Sequence, residues 1–158
     1  MSKLFSIVLL ATLLTVSACK KEELKLTGSN YLMFGSFYGM CAGEQCIEIF
    51  RLEEGKLLED TTDKYPERDN FYAGKFIQLS AQKYNDTKDL IDYFPKDLLN
   101  ETTTVIGQPD AADGGGLYLE YNFNGTKKFW LIDQMQDKIP TKYHTFVAKV
   151  NDKIKNLK

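Results

Sequence analysis

The stretch GLYLEYNFNGTKKFWLID, residues 116–133, constrains the fold more than any other part of the chain. Asn124–Gly125 suits a two-residue type I′ turn, whose central positions both need positive φ. Such a turn sets the register. It pairs Phe123 with Thr126, Tyr121 with Lys128, Leu119 with Trp130 and Leu117 with Ile132. One face of the hairpin then carries Leu117, Leu119, Tyr121, Phe123, Trp130 and Ile132. The other carries Tyr118, Glu120, Asn122, Lys127, Phe129 and Leu131. A slip of one residue would scramble this sorting. Trp130 is therefore expected in the core.

Other segments fit around this hairpin. Tyr31–Cys41 reads as an aromatic-rich strand, and Cys46–Leu52 alternates with period two. Only Ala42–Gln45 separates them, so the pair reads as a second hairpin with a four-residue loop. Glu54–Gly55 is a turn into a third strand, Lys56–Thr61. Asp63–Asn70 is charged, holds Pro66 and reads as loop. Lys75–Ser80 is a further strand. Asp86 or Thr87 is expected to cap a helix through KDLIDYF, with Leu90, Ile91 and Phe94 on one side and Pro95 at its end. The PKDLL run beginning at Pro95 starts another short turn. Pro140 suits the first turn of a closing helix. Along that helix Tyr143, Val147, Val150, Ile154 and Leu157 form one apolar stripe, and Lys149, Lys153, Lys155 and Lys158 crowd the C-terminal half. These elements predict an α+β fold, an antiparallel sheet of hairpins with two helices packed on one face. Residues 30–158 form one domain.

The N-terminal segment predicts an address. Met1–Ser2–Lys3 is basic, and Leu4–Val16 is apolar but too short to span a ~30 Å hydrocarbon core as a helix. This pattern fits a signal peptide over residues 1–18. Val16–Ser17–Ala18–Cys19 resembles the bacterial lipobox, in which small residues fit the peptidase and the thiol of Cys19 takes the lipid. Each buried acyl methylene contributes about 0.8 kcal/mol, so two or three chains anchor firmly. Lys20–Lys21–Glu22–Glu23 resembles a surface-export signal of lipoproteins in one large Gram-negative phylum. The plainer reading is a solvated charged tether. Residues 19–29 are expected to be the acylated cysteine and a flexible leash, reaching on the order of 17–19 Å.

Charge narrows the partners. Net charge is −2, and Arg51 and Arg68 are the only arginines. With no basic patch, nucleic acid is not expected. The nine tyrosines and ten phenylalanines read mainly as core, with a carbohydrate-stacking surface as the alternative.

Two segments could carry chemistry. Cys41 and Cys46 share an oxidising compartment if Cys19 is acylated, and the hairpin would set them at facing ends of its loop, so a disulfide is expected. A redox pair would lack the C-x-x-C spacing that lowers a thiol pKa. A zinc site would lack ligands, since His144 is the only histidine. Within GQPDAADGGGLY, residues 107–118, Asp110 and Asp113 beside three glycines could wrap Ca²⁺. The same residues could equally form a tight turn in which each aspartate bonds its own backbone. No nucleophile–histidine set or phosphate loop is present, and no catalytic residue is nominated.

Three segments, FYGMCAGEQCIEIFRL, IGQPDAADGGGLYLEY and KFWLID, are followed by the closing helix. Together, over about residues 31–157, they resemble small outer-membrane lipoproteins of that phylum, in which a P-D-x-x-D-x-G-G-x-Y segment precedes the hairpin in the same way. The resemblance implies a compact α+β domain on a lipid anchor and carries over no activity. The expectation is a non-catalytic module binding a protein or glycan, held through its N-terminal lipid at the outer membrane and facing the cell surface. The periplasmic face is the second choice. The alternative is a calcium-dependent binder or enzyme using the Asp110/Asp113 loop.

Overall fold

A computed structural model describes residues 24–158. The expected signal peptide, Cys19 and the Lys20–Glu23 run lie outside the described residues. Seven strands form one sheet: β1 (Tyr31–Phe37), β2 (Ile47–Glu53), β3 (Lys56–Asp60), β4 (Phe76–Gln78), β5 (Val105–Ile106), β6 (Gly116–Phe123) and β7 (Thr126–Asp133). Their order is β4-β3-β2-β1-β6-β7-β5, antiparallel throughout except for β5, which runs parallel to β7. Helix α1 (Ala81–Thr87), helix α2 (His144–Leu157) and short 3-10 turns complete the α+β architecture.

The β6–β7 register is the predicted one, Leu119 opposite Trp130 and Phe123 opposite Thr126. Asn124 and Gly125 take φ of 51° and 80°, as a type I′ turn requires. Both faces of this hairpin are covered. Leu117, Leu119, Tyr121, Phe123, Trp130 and Ile132 join Leu32, Phe34, Phe50 and Leu52 in the larger core cluster. The stripe Tyr143, Val147, Val150, Ile154 and Leu157 closes that cluster from α2, and Leu90, Ile91 and Phe94 close it from the turn after α1. On the opposite face Tyr118, Phe129 and Leu131 join Tyr31, Met33, Phe37, Ile47 and Ile49 in a smaller cluster, with Tyr72 and Phe76 packed against it. Among the described residues no helix covers this face; the irregular chain between β3 and β4 does.

Two expectations need correction, and two further features were not read from the sequence. β1 ends at Phe37, not Cys41, and β2 starts at Ile47, so the connection is a nine-residue loop, 38–46, rather than a tight four-residue one. Tyr38 N–H still donates to Cys46 O at 3.0 Å, but Gly43 at φ 114° then turns the chain into a 3-10 turn, Glu44–Cys46. The first helix begins at Ala81, capped by Ser80, whose Oγ accepts from Lys83 N–H; Thr87 ends it and donates its hydroxyl back to Lys83 O at 2.8 Å. KDLIDY continues as a 3-10 turn, and Phe94–Pro95 breaks it. The strand β5, two residues long and parallel to β7, was not foreseen. Finally, the described part of the expected leash is packed down. Leu24 and Leu26 lie against the larger core, and Gly28 N–H donates to Glu54 Oε2 at 3.0 Å.

Candidate functional site

One end of the sheet gathers both segments that the sequence nominates. The antiparallel run of β1, β2, β3 and β6 sends three connections to the same end: loop 38–46, the chain after Asp60, and the 107–115 segment before β6. Cys41 and Cys46 are bonded there, with Cα atoms 5.6 Å apart. They are not a facing strand pair; the bond closes a ring inside the loop. Asp110, distant in sequence, reaches this loop. Its Oδ2 accepts Gly39 N–H and the Tyr65 hydroxyl, both at 2.8 Å, and its Oδ1 accepts Gly115 N–H at 3.2 Å. Only glycine allows the first contact, since a Cβ on residue 39 would stand 2.4 Å from Asp110 Oδ2. Gly115, at φ 70°, packs its backbone against the Tyr38 ring. Gln134 Nε2 donates to Tyr38 Oη at 2.9 Å, adding the segment after β7.

The backbone here is unusual. Of the five non-glycine residues at positive φ, four belong to this end: Asp63 at 47°, Asp110 at 61°, Ala112 at 50° and Asp113 at 61°. Ala112 has no side chain to hydrogen-bond locally, so its left-handed conformation costs roughly 1–2 kcal/mol. Strain of this kind persists only where surrounding contacts over-determine it, and it clusters at functional sites. Three large apolar side chains stand exposed on the same loops: Met40 at 81%, Tyr65 at 47% and Met135 at 39%. Tyr65 packs its ring edge on Phe37, centroids 5.0 Å apart. Its partial burial and its bond to Asp110 push the phenol up to about 12.

Beneath this end lies a polar network on the helix-free face. Glu120 is 1% exposed. It accepts the Tyr31 hydroxyl at 2.5 Å and the Tyr118 hydroxyl, and pairs with Lys127 Nζ at 3.1 Å. Tyr118 Oη in turn accepts Tyr72 N–H at 2.9 Å, and the Tyr72 hydroxyl donates to Asp60 Oδ2 at 2.7 Å. Asp60 also accepts N–H from Thr62, Asp63 and Lys75. Burial pushes the Asp60 carboxyl up, but the donors from Tyr72, Thr62 and Lys75 outweigh it and hold the group below its usual range. Burial first, then Glu120, drives the Tyr31 and Tyr118 phenols far above theirs, so they stay donors.

The Asp110 carboxylate oxygens already serve three protein donors. Among the described residues no group of three or more His, Cys, Asp or Glu is placed to hold a metal. His144 begins α2 with Nε2 3.1 Å from Ile139 O. Sequence reasoning missed Tyr38, Tyr65 and Gln134, whose partners lie 45 to 96 residues away. No local pattern marks them. Glu120 did leave a signal: an acid in the middle of an apolar strand, with Lys127 on the same face. The chain matches no protein-family model, and no curated protein matches it.

Proposed function

We propose that this chain is a lipid-anchored cell-envelope protein whose domain is a non-catalytic binding module for a protein or glycan. The anchor is Cys19, displayed on the outer membrane and facing outward, with the periplasmic face as second choice. The observation that carries the binding role is the exposure of Met40, Tyr65 and Met135 on loops held by a disulfide and by Asp110. Apolar groups on pre-ordered loops bind with little ordering cost. β1 starts at Tyr31 and runs about 20 Å to Phe37, so the platform stands at the end of β1 remote from the chain that enters it. The Cys41–Cys46 disulfide suits the oxidising compartment that the lipobox implies.

The test is affinity capture from envelope extracts and on a glycan array, comparing the wild-type chain with Met40→Ser/Tyr65→Ala. A partner lost in the double variant supports the reading; equal capture by both removes the platform from it. Detergent-phase partitioning that survives Cys19→Ala removes the anchor. Shaving of intact cells by protease that spares the domain removes surface display. Calorimetric heat on adding Ca²⁺, abolished by Asp113→Ala, would replace this reading with the calcium-dependent one.

A further inference from the structure

A separate cleft of about 260 Å³ opens at the β7 edge of the sheet, short of its pairing with β5, between Phe71 and the Glu101–Thr104 segment, with Lys127–Trp130 of β7 as its floor. Its walls are fixed. Leu131 N–H donates to Thr104 O at 2.7 Å, and the Phe71 ring meets the Phe129 ring edge-on at 5.1 Å. The residue after Phe71 is held through its N–H by Tyr118.

The charges in this cleft are committed. Lys127 Nζ pairs with Glu120 and lies 4.0 Å over the Phe71 ring; Lys128 Nζ donates to Leu99 O at 2.6 Å. Glu101 Oε1 accepts from Lys142 at 2.9 Å and from the Tyr143 hydroxyl. An anion would meet no uncommitted cation here. What remains is the part of the Phe71 ring that Lys127 and Phe129 leave open, and a hydrogen-bonding rim. Phe71 is 42% exposed. The Thr102 hydroxyl has no partner among the described residues, the Thr104 hydroxyl keeps its acceptor side while donating to Arg68 O at 3.4 Å, and Glu101 Oε2 stands beside them. A ligand with one apolar C–H face and a rim of hydroxyls matches that inventory. The volume is below the roughly 300–1,000 Å³ of drug-sized pockets, so it suits one ring rather than a chain.

We infer that this cleft is a subsite for a single uncharged pyranose ring, packed against the open part of Phe71 and hydrogen-bonded by Thr102 and Glu101. This goes beyond the proposed function: it is a second site, and it rests on neither the Met40 platform nor the lipid anchor. Trp130, the only tryptophan, lines the floor and reports occupancy. The experiment titrates the detergent-purified full chain with glucose, galactose, mannose and N-acetylglucosamine, and with glucuronate as the charged counter-probe. Trp130 fluorescence and calorimetry are read together. The expected result is saturable binding of at least one neutral sugar, weakened about tenfold by Phe71→Ala and a few-fold by the surface change Thr102→Val. No saturable binding by the folded chain overturns the inference. So does binding indifferent to both Phe71→Ala and Thr102→Val, or a preference for glucuronate. Failure of the module reading shows elsewhere, in capture that does not depend on Met40 and Tyr65.

Discussion

The two faces of the sheet are closed by different means. On one, α1, α2 and the turns after α1 lay apolar side chains on Leu32, Phe34, Leu119 and Trp130. A helix satisfies most of its own backbone, so it can cover a sheet with nothing polar buried beneath it. On the other face the covering chain, 61–75, has no helix and no strand. Its amides need acceptors, and the protein buries them. Asp60 takes the N–H groups of Thr62, Asp63 and Lys75, and Tyr118 takes that of Tyr72. The same device recurs nearby. Buried Asp133 accepts from Gln108 N–H at 3.0 Å and Met135 N–H at 2.9 Å, and Asp110 accepts from Gly39 and Gly115. Asp60, Asp110 and Asp133 are the counterpart of missing secondary structure, whereas Glu120 takes hydroxyls and Lys127 instead.

The comparison can be broken most severely from the helical face. Trp130→Ala should cost about 3–5 kcal/mol in urea unfolding, the usual penalty for an emptied aromatic site. A loss under about 1 kcal/mol would mean the hairpin register is wrong. On the other face Glu120→Ala strands two buried phenols and Lys127, and should cost about 3 kcal/mol. Glu120→Leu with Tyr31→Phe should recover part of that loss; no recovery would mean the cost is packing and not stranded donors. Third, reduction of Cys41–Cys46 should cost about 2 kcal/mol, since the ring is small, and lower Tm by about 5–10 °C without unfolding the domain. Calorimetry with and without reductant measures this.

The gentlest probe is pH. Asp60 is held below its usual range when folded, so its stabilisation is complete above the unfolded value near 3.9 and is lost as pH falls through the folded value. Glu48 and Asp63 run the other way. Burial first, and then like-charged neighbours, raises both, with Lys158 partly countering the rise at Glu48. They favour the folded state as pH falls. The Asp60 share is therefore the difference between wild type and Asp60→Asn, and that difference should shrink below about pH 4. A difference that grows on acidification would reverse the assignment.

Much of the helical face was legible in the sequence, because its signals are local. Asn124–Gly125 sets a register by itself, and the α2 stripe repeats within one element. The helix-free face was legible only in part. The period-two sorting placed Tyr118, Glu120 and Phe129 together, but nothing in 61–75 announces that Tyr72 returns to Asp60. The disulfide was readable from spacing, while its place inside a loop was not, since Gly39 leaves the strand to meet Asp110, 71 residues on. Ser80 escaped notice as a helix cap because the AQKYNDT run after it carries no apolar stripe to mark a helix. Two-residue β5 has no pattern at all, and its position is set by pairing with Leu131 and Ile132.

Amide hydrogen exchange in Asp60→Ala tests the contrast most directly. If buried carboxylates stand in for a helix, the amides of Thr62, Asp63, Lys75 and Tyr72 should exchange faster by orders of magnitude, as a local opening. Amides of α2 and β7 should keep their protection, and the Trp130 emission should stay that of a buried indole. Uniform acceleration across both faces, or unchanged protection in 61–75, would contradict the account.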